Sequence, residues 1–240
     1  WIDSDPVEVT AYGDLEHYGH NGPFSGPNCR TCPHKSDCRY FWDITGSDFL
    51  MDLYVAHEHH DGYIRDNCVY RDEIDIYDKM SVQIKYANDL VVNYSLTTYS
   101  PYEGMRIAFN GEEGRIDAWD GIPWRKDNRV DQAKLHALEM SQDAEDIQDF
   151  EEIYVMDNFG DYKQLQIPRG IGGHGGGDKR LQDRLVHGTG GADPLNHAAG
   201  SRDGAFSILV GIAARKSIEE GRRVRIEELT DLVPRKKRIV

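Results

Sequence analysis

The chain has 240 residues, 39% of them hydrophobic, with 42 acidic against 28 basic residues for a formal net charge of -14. That length supports one sizeable core, and the acidic balance excludes a general attraction to phosphate backbones, so nucleic acid is not an expected partner. No run approaches the roughly 18 to 20 apolar residues a membrane-spanning helix requires, and a membrane is not an expected partner either.

The opening, Trp1, lacks Met and lacks the charged-then-apolar pattern of a signal peptide, as expected for a piece of a longer chain; a cytoplasmic location is the expectation. From Pro6 to His17, Val7, Val9, Ala11 and Leu15 alternate with polar residues, a period of two that predicts a half-buried strand. Gly19 to Asp37 is rich in Gly, Pro and Asn and reads as an irregular excursion, reaching to about residue 40, that needs an internal staple. Met80, Val82, Ile84 and Tyr86 alternate, Asn88-Asp89 supplies a turn, and Leu90, Val92, Tyr94 and Leu96 alternate again, which predicts an antiparallel hairpin. A second hairpin is predicted from Arg106 to Trp119 around Gly111-Glu112-Glu113-Gly114, whose glycines are positioned to accept positive φ, and a third from Phe150 to Ile167 around Asn158-Phe159-Gly160-Asp161.

The tail changes period. Ala205, Phe206, Ile208, Leu209, Ile212, Ala213 and Ile218 recur at helical spacing, so Arg202 to Glu220 is predicted helical with Gly221 as its cap. Leu181, Leu185 and Val186 suggest a shorter helix before it, and Val224 to Leu229 a final extended segment. Arg235-Lys236-Lys237-Arg238 reads as a solvated tail in preference to a polyanion or targeting patch. Together these elements predict an α+β fold: one domain over residues 1–240, with an open, mostly antiparallel sheet and helices packed on one face. The uncovered face is left for a ligand or a second subunit.

Four cysteines, Cys29, Cys32, Cys38 and Cys68, suggest chemistry of their own. A C-x-x-C pair with a third thiol soon after suits one tetrahedral zinc closed by Cys68; two disulfides and unligated thiols are the alternatives. A four-cysteine site leaves no open coordination position, so none of these readings is catalytic. His57, His59, His60 and Asp61 are metal-capable residue types, but their spacing fits neither a helical nor a strand pair, and a polar loop at a helix end is the plainer reading. Gly170 to Asp178 is dense in glycine, which points to backbone that approaches something closely. A substrate loop presenting His174 and Asp178 is better supported than a phosphate cradle, because no βαβ unit surrounds it; a flexible connector is the alternative. Tyr102 and Glu103 lie between two predicted strands, either at a sheet rim or in a plain turn. No nucleophile arrangement or paired-carboxylate motif stands out.

Several segments, in order, resemble the C-terminal domain of the Gfo/Idh/MocA oxidoreductases, the glucose-fructose oxidoreductase and inositol dehydrogenase family. Trp1 to Val9 is similar to the family's step into the first strand of its C-terminal sheet. Ser81 to Ser95, Phe109 to Ile116 and Ser217 to Arg222 resemble its sheet, turn and closing helix, and His174 to Asp178 and Asn28 to Pro33 resemble segments of one branch. The resemblance implies an N-terminal Rossmann domain holding NAD or NADP, a sugar or polyol substrate between that domain and the sheet, and hydride transfer between substrate and nicotinamide. It places the catalytic lysine in the Rossmann half and the catalytic histidine upstream of Trp1, so this chain is expected to hold no catalytic residue and to bind no dinucleotide alone. His174, Asp178, Arg65 and Tyr102 are then the candidate substrate contacts, and the sheet the expected homo-oligomer interface. An NAD-dependent glycoside hydrolase of the same architecture and a non-enzymatic zinc-stapled assembly module are the rival expectations.

Overall fold

A computed structural model describes residues 2–101, 104–120, 150–168, 176–188, 193 and 197–238. The structure is α+β. Where one domain was expected, the chain divides into two compact units, Trp1–Tyr99 with Ala198–Val240, and Ser100–His197. The strands correspondingly form two antiparallel four-stranded sheets in place of the single sheet expected.

In the first unit, β1 (Pro6–Asp14), β2 (Lys79–Tyr86), β3 (Val91–Thr97) and β8 (Val224–Arg225) lie in the order β3-β2-β1-β8. Antiparallel pairing aligns side chains across the sheet, so a single register sorts them into two faces. One face carries the rows Val224-Val9-Ile84-Val92 and Ala11-Val82-Tyr94; the other carries Thr10-Gln83-Asn93 and Tyr12-Ser81-Ser95. The apolar face is covered by α4 (Ser201–Glu220), which brings Phe206, Ala213, Ala214 and Ser217 onto it, with Leu209, Val210 and Ile218 beside them. Ala213 and Ala214 are small enough for the helix to lie close to β1. Ile208 and Ile212, expected on the packed face, are exposed, because the apolar positions of this helix run round more of its circumference than the sheet covers.

Ser217 locks this packing. Its buried hydroxyl accepts the N–H of Ala11 in β1 at 2.9 Å and donates to the carbonyl of Arg222 at 2.5 Å, joining the helix, the central strand and the chain beyond the cap. The helix stops at Gly221, which takes the left-handed conformation (φ 63) favoured by glycine. The chain then runs through β8 and turns as a short 3-10 helix at Ile226–Glu228, where an extended segment was expected. The basic tail is also tied down, contrary to the solvated tail expected. Arg238 ion-pairs with Asp203 at 2.9 Å and its N–H reaches the carbonyl of Asp3. Buried Asp5 holds both the Arg202 guanidinium (2.6 Å) and the Arg235 N–H (2.9 Å).

The second unit is a meander, β4 (Met105–Asn110), β5 (Gly114–Asp120), β6 (Phe150–Asp157) and β7 (Tyr162–Pro168), with α3 (Gly177–His187) after it. One face aligns Ile107-Ala118-Ile153-Leu165 and Phe109-Ile116-Val155; the other carries the Arg106 guanidinium 4.5 Å from the centroid of the Trp119 ring. The β4–β5 turn uses its glycines differently from expectation. Neither Gly111 nor Gly114 has a positive φ; a Cβ on Gly114 would collide with the carbonyl oxygen of Met156, so the close approach of β6 is what requires glycine there. On α3, Leu181, Leu185 and Val186 are exposed.

Replacing Ser217 with Ala leaves the buried N–H of Ala11 and the carbonyl of Arg222 without their partner. The expected loss is about 1–3 kcal/mol of unfolding free energy, measured by urea denaturation with an unchanged m-value; a change within 0.5 kcal/mol, roughly the scatter of surface substitutions, would show the bridge to be dispensable.

Candidate functional site

Between β1 and β2 the chain makes an excursion longer than the expected segment of about 19–40, from Leu15 to Asp78, with only α1 (Asp48–Leu53), α2 (Glu58–Asp61) and short 3-10 turns as helix. Ile44, Cys68 and Tyr70 are its buried apolar residues, so its shape rests on polar ties. Asp78 closes the neck. Its buried carboxylate accepts the N–H groups of Glu16, His17 and Tyr18 at 2.9, 2.7 and 2.9 Å, while its backbone joins Asp14 and Thr98 at the ends of β1 and β3. Burial pushes this carboxyl up, but the three N–H donors outweigh it and hold it below the ordinary carboxylate range.

Above that neck stands an aromatic cluster that the sequence reading did not single out. His17 Nε2 lies 2.6 Å from the Tyr40 hydroxyl, and Arg39 reaches both at 3.2 and 3.0 Å. The ring of Tyr99 lies 4.7 Å from that of His17, Tyr18 stands edge-on at 5.0 Å, and Tyr70 packs edge-on to Tyr40 at 5.8 Å. Burial, then the hydrogen bond and charge of Tyr40, push the Tyr18 hydroxyl up to about 12. These phenols therefore remain neutral donors across the physiological range, beside one imidazole and one guanidinium. Glu16, held low by the Lys79 ammonium at 2.5 Å and then by the Tyr99 hydroxyl, completes the rim. Residues from four separated segments meet here, so no local motif could have announced the cluster.

The second centre is a cavity of about 160 Å³ lined by all four cysteines, with Phe24, Lys35, Trp42, Arg65 and Asp66 among its other walls. The four cysteines are free thiols. Two segments form it: Asn28 bridges Asn67, and the N–H of Cys29 bonds the Asp66 carbonyl at 2.8 Å. The Asp66 carboxylate, 2% exposed, accepts the Arg30 N–H at 2.9 Å and pairs with its guanidinium, which also holds Glu58 at 2.6 Å. Burial pushes the Cys29 thiol up, against the pull of the Trp42 N–H. Among the described residues no group of three or more His, Cys, Asp or Glu side chains stands in metal-holding geometry.

The expected site residues are distributed between the units. Arg65 belongs to the cysteine cavity, where its guanidinium lies 5.4 Å from the Tyr54 ring centroid and donates to the Tyr63 hydroxyl at 3.1 Å. Asp178 is half-buried in the first turn of α3, in the other unit. His174 and Tyr102 lie outside the described residues. His57, His59 and His60 stack on one another at the surface around α2, the polar helix end that was the plainer expectation.

Residues 25–226 match the family described as "Oxidoreductase family, C-terminal alpha/beta domain". The chain belongs to the Gfo/Idh/MocA oxidoreductase family. YteT of Bacillus subtilis (strain 168), a protein named as an oxidoreductase, is 31% identical over 251 residues, covering 95% of this chain and 53% of its own length. This Gfo/Idh/MocA chain thus spans about half the length of that relative. Among solved structures it is similar to the aldose-aldose oxidoreductase of Caulobacter crescentus complexed with glycerol (12% identity, TM-score 0.46, 92% of this chain and 42% of that one). It is likewise similar to an oxidoreductase domain protein of Kribbella flavida (11% identity, TM-score 0.46, 93% and 46%). The matched span takes in all four cysteines and Asp178. No helix among the described residues is long and apolar enough to cross a membrane.

Because the Asp78 carboxyl is held low in the folded state, its contribution is fully present above the unfolded value of about 3.9 and is lost as pH falls through the folded pKa. Asp78→Asn leaves at least one of the three N–H groups without an acceptor and should cost about 1–3 kcal/mol at pH 7. Urea titrations of both proteins should show the gap narrowing below about pH 4; a gap independent of pH would refute the clasp.

Proposed function

We propose that this chain is the substrate-side portion of an NAD(P)-dependent oxidoreductase acting on a sugar, polyol or derivative by hydride transfer. The observation that carries the reading is the family match over residues 25–226 together with a relative of about twice the aligned length that is named as an oxidoreductase. Dinucleotide chemistry needs a phosphate-binding βαβ unit, and the described residues form antiparallel sheets without one. In this reading the nicotinamide is supplied by another part of the whole protein, and the present chain contributes a wall that binds and orients substrate.

Asp178, His174 and Tyr102 are the proposed substrate contacts. Arg65 suits that role less well, because its guanidinium already holds the Tyr63 hydroxyl and lies over Tyr54. Self-association through a sheet is part of the proposal. It is supported by the second unit's sheet, on which Phe109, Ile116 and Leu165 share an apolar face and stay between 37% and 44% exposed. Association would bury that apolar area.

Calorimetric titration of NAD and NADP into this chain and into the whole protein tests the reading. Binding is expected for the whole protein and not for this chain; if neither binds, the oxidoreductase proposal fails. With a substrate found from a sugar and polyol panel, Asp178→Asn in the whole protein should lower kcat/KM by about tenfold or more, the equivalent of about 1.4 kcal/mol of lost transition-state binding.

A further inference from the structure

We propose that Cys29, Cys32, Cys38 and Cys68 form a structural zinc site that staples the excursion between β1 and β2. Every cysteine of the chain lines one cavity of about 160 Å³, although the first and last are far apart in sequence and none is in a disulfide. The fold, and not local spacing alone, gathers them. The Asn28–Asn67 bridge and the bond from Cys29 N–H to the Asp66 carbonyl lay the segment bearing Cys29 beside the segment bearing Cys68. A turn closed by the N–H of Cys32 on the Cys29 carbonyl, 3.3 Å, presents the C-x-x-C pair.

Three further features suit a thiolate site. Backbone N–H groups are aimed at two of the sulfurs, from Tyr70 to Cys68 Sγ at 3.4 Å and from Trp42 to Cys29. Such donors favour the ionised form that ligates metal. Lys35 and Arg65 line the same cavity, and a zinc tetrathiolate, which carries two net negative charges, would meet cations there in a chain that is otherwise strongly acidic. The excursion also has little apolar burial with which to hold itself, since Ile44, Cys68 and Tyr70 are its buried apolar residues. A metal supplies the order that a core of that size cannot.

As placed, the sulfurs surround the cavity without converging on one point. Zinc binding therefore draws the loop carrying Cys32 and Cys38 inward until four Zn–S contacts of about 2.3 Å form. Ligand selection follows from the donor set: four thiolates in tetrahedral array suit zinc or an iron centre, and the absence of further charge or redox demand in a loop staple favours zinc. Four protein ligands leave no open position, so the ion orders the loop and takes no part in catalysis.

The test is elemental analysis of the protein purified without chelator, combined with cobalt(II) replacement and native thiol titration. One zinc per chain is expected, with thiols shielded from a disulfide reagent until zinc is removed, and cobalt should give sulfur-to-metal charge transfer with tetrahedral d–d bands. Cys32→Ser and Cys38→Ser should each lose the retained zinc on dialysis. Because either variant could unfold, the wild-type protein carries a second measurement: chelation should speed proteolysis within Gly19–Asp37 while the far-UV signal of the sheets is kept. Wild-type protein without zinc whose four thiols all react natively, a mass lower by four hydrogens indicating two disulfides, or co-purifying iron with sulfide would each overturn the proposal. None of these readouts is enzymatic activity, so the inference stands or falls independently of the oxidoreductase reading.

Discussion

A sheet whose neighbouring strands are separated by a long excursion must close the neck of that excursion or lose the strand register, and here a single buried carboxylate closes it. Asp78 gathers three consecutive N–H groups where the chain leaves β1, and its own backbone ties that point to the ends of β1 and β3. An ionised acceptor with several N–H donors is among the stronger polar contacts a protein can make. Such strength is needed because the excursion contributes few buried apolar side chains. The aromatic cluster of His17, Tyr18, Tyr40, Tyr70 and Tyr99 assembles directly above this clasp, so its geometry follows from the clasp.

The apolar side of the same unit is arranged around β1, which is hydrogen-bonded along both edges and covered by α4. Alanines at 213 and 214 let the helix approach the strand, and the Ser217 hydroxyl fixes its depth by bonding strand and helix end together. The amino-terminal segment and the basic tail then fasten to the start of that helix through Asp5 and Asp203. Two kinds of order therefore meet at β1: apolar packing on its helix-covered face and polar clasps at its end.

For function, family membership and the absence of a βαβ unit among the described residues point the same way, toward a chain that shapes a substrate site for a nucleotide held elsewhere in the protein. The two concentrations of chemistry in the first unit differ in kind. The His17 cluster offers neutral phenols, an imidazole and a guanidinium at a partly open rim, groups able to hydrogen-bond hydroxyl-bearing molecules. The cysteine cavity offers soft ligands in a loop that lacks a core, which is a structural role.

The sequence alone determined the strands, the hairpins and the long helix, because a period of two and a period of 3.6 are set by local side-chain alternation. Gly221 as a cap was legible for the same reason, since only the conformation of one residue is at stake. The four cysteines were legible as a set by residue type, but that they line one cavity follows from the pairing of residues 28–30 with 66–67, which no local spacing encodes. Tertiary structure alone decided that the strands form two sheets, that Ile208 and Ile212 face outward, and that Gly114 serves a close approach of β6 instead of a positive φ. It also decided that Asp78 is a clasp and that His17 meets Tyr40 and Tyr99. Those outcomes depend on which distant segments come together, and a single acidic or aromatic residue carries no signal of its partner until the chain has folded.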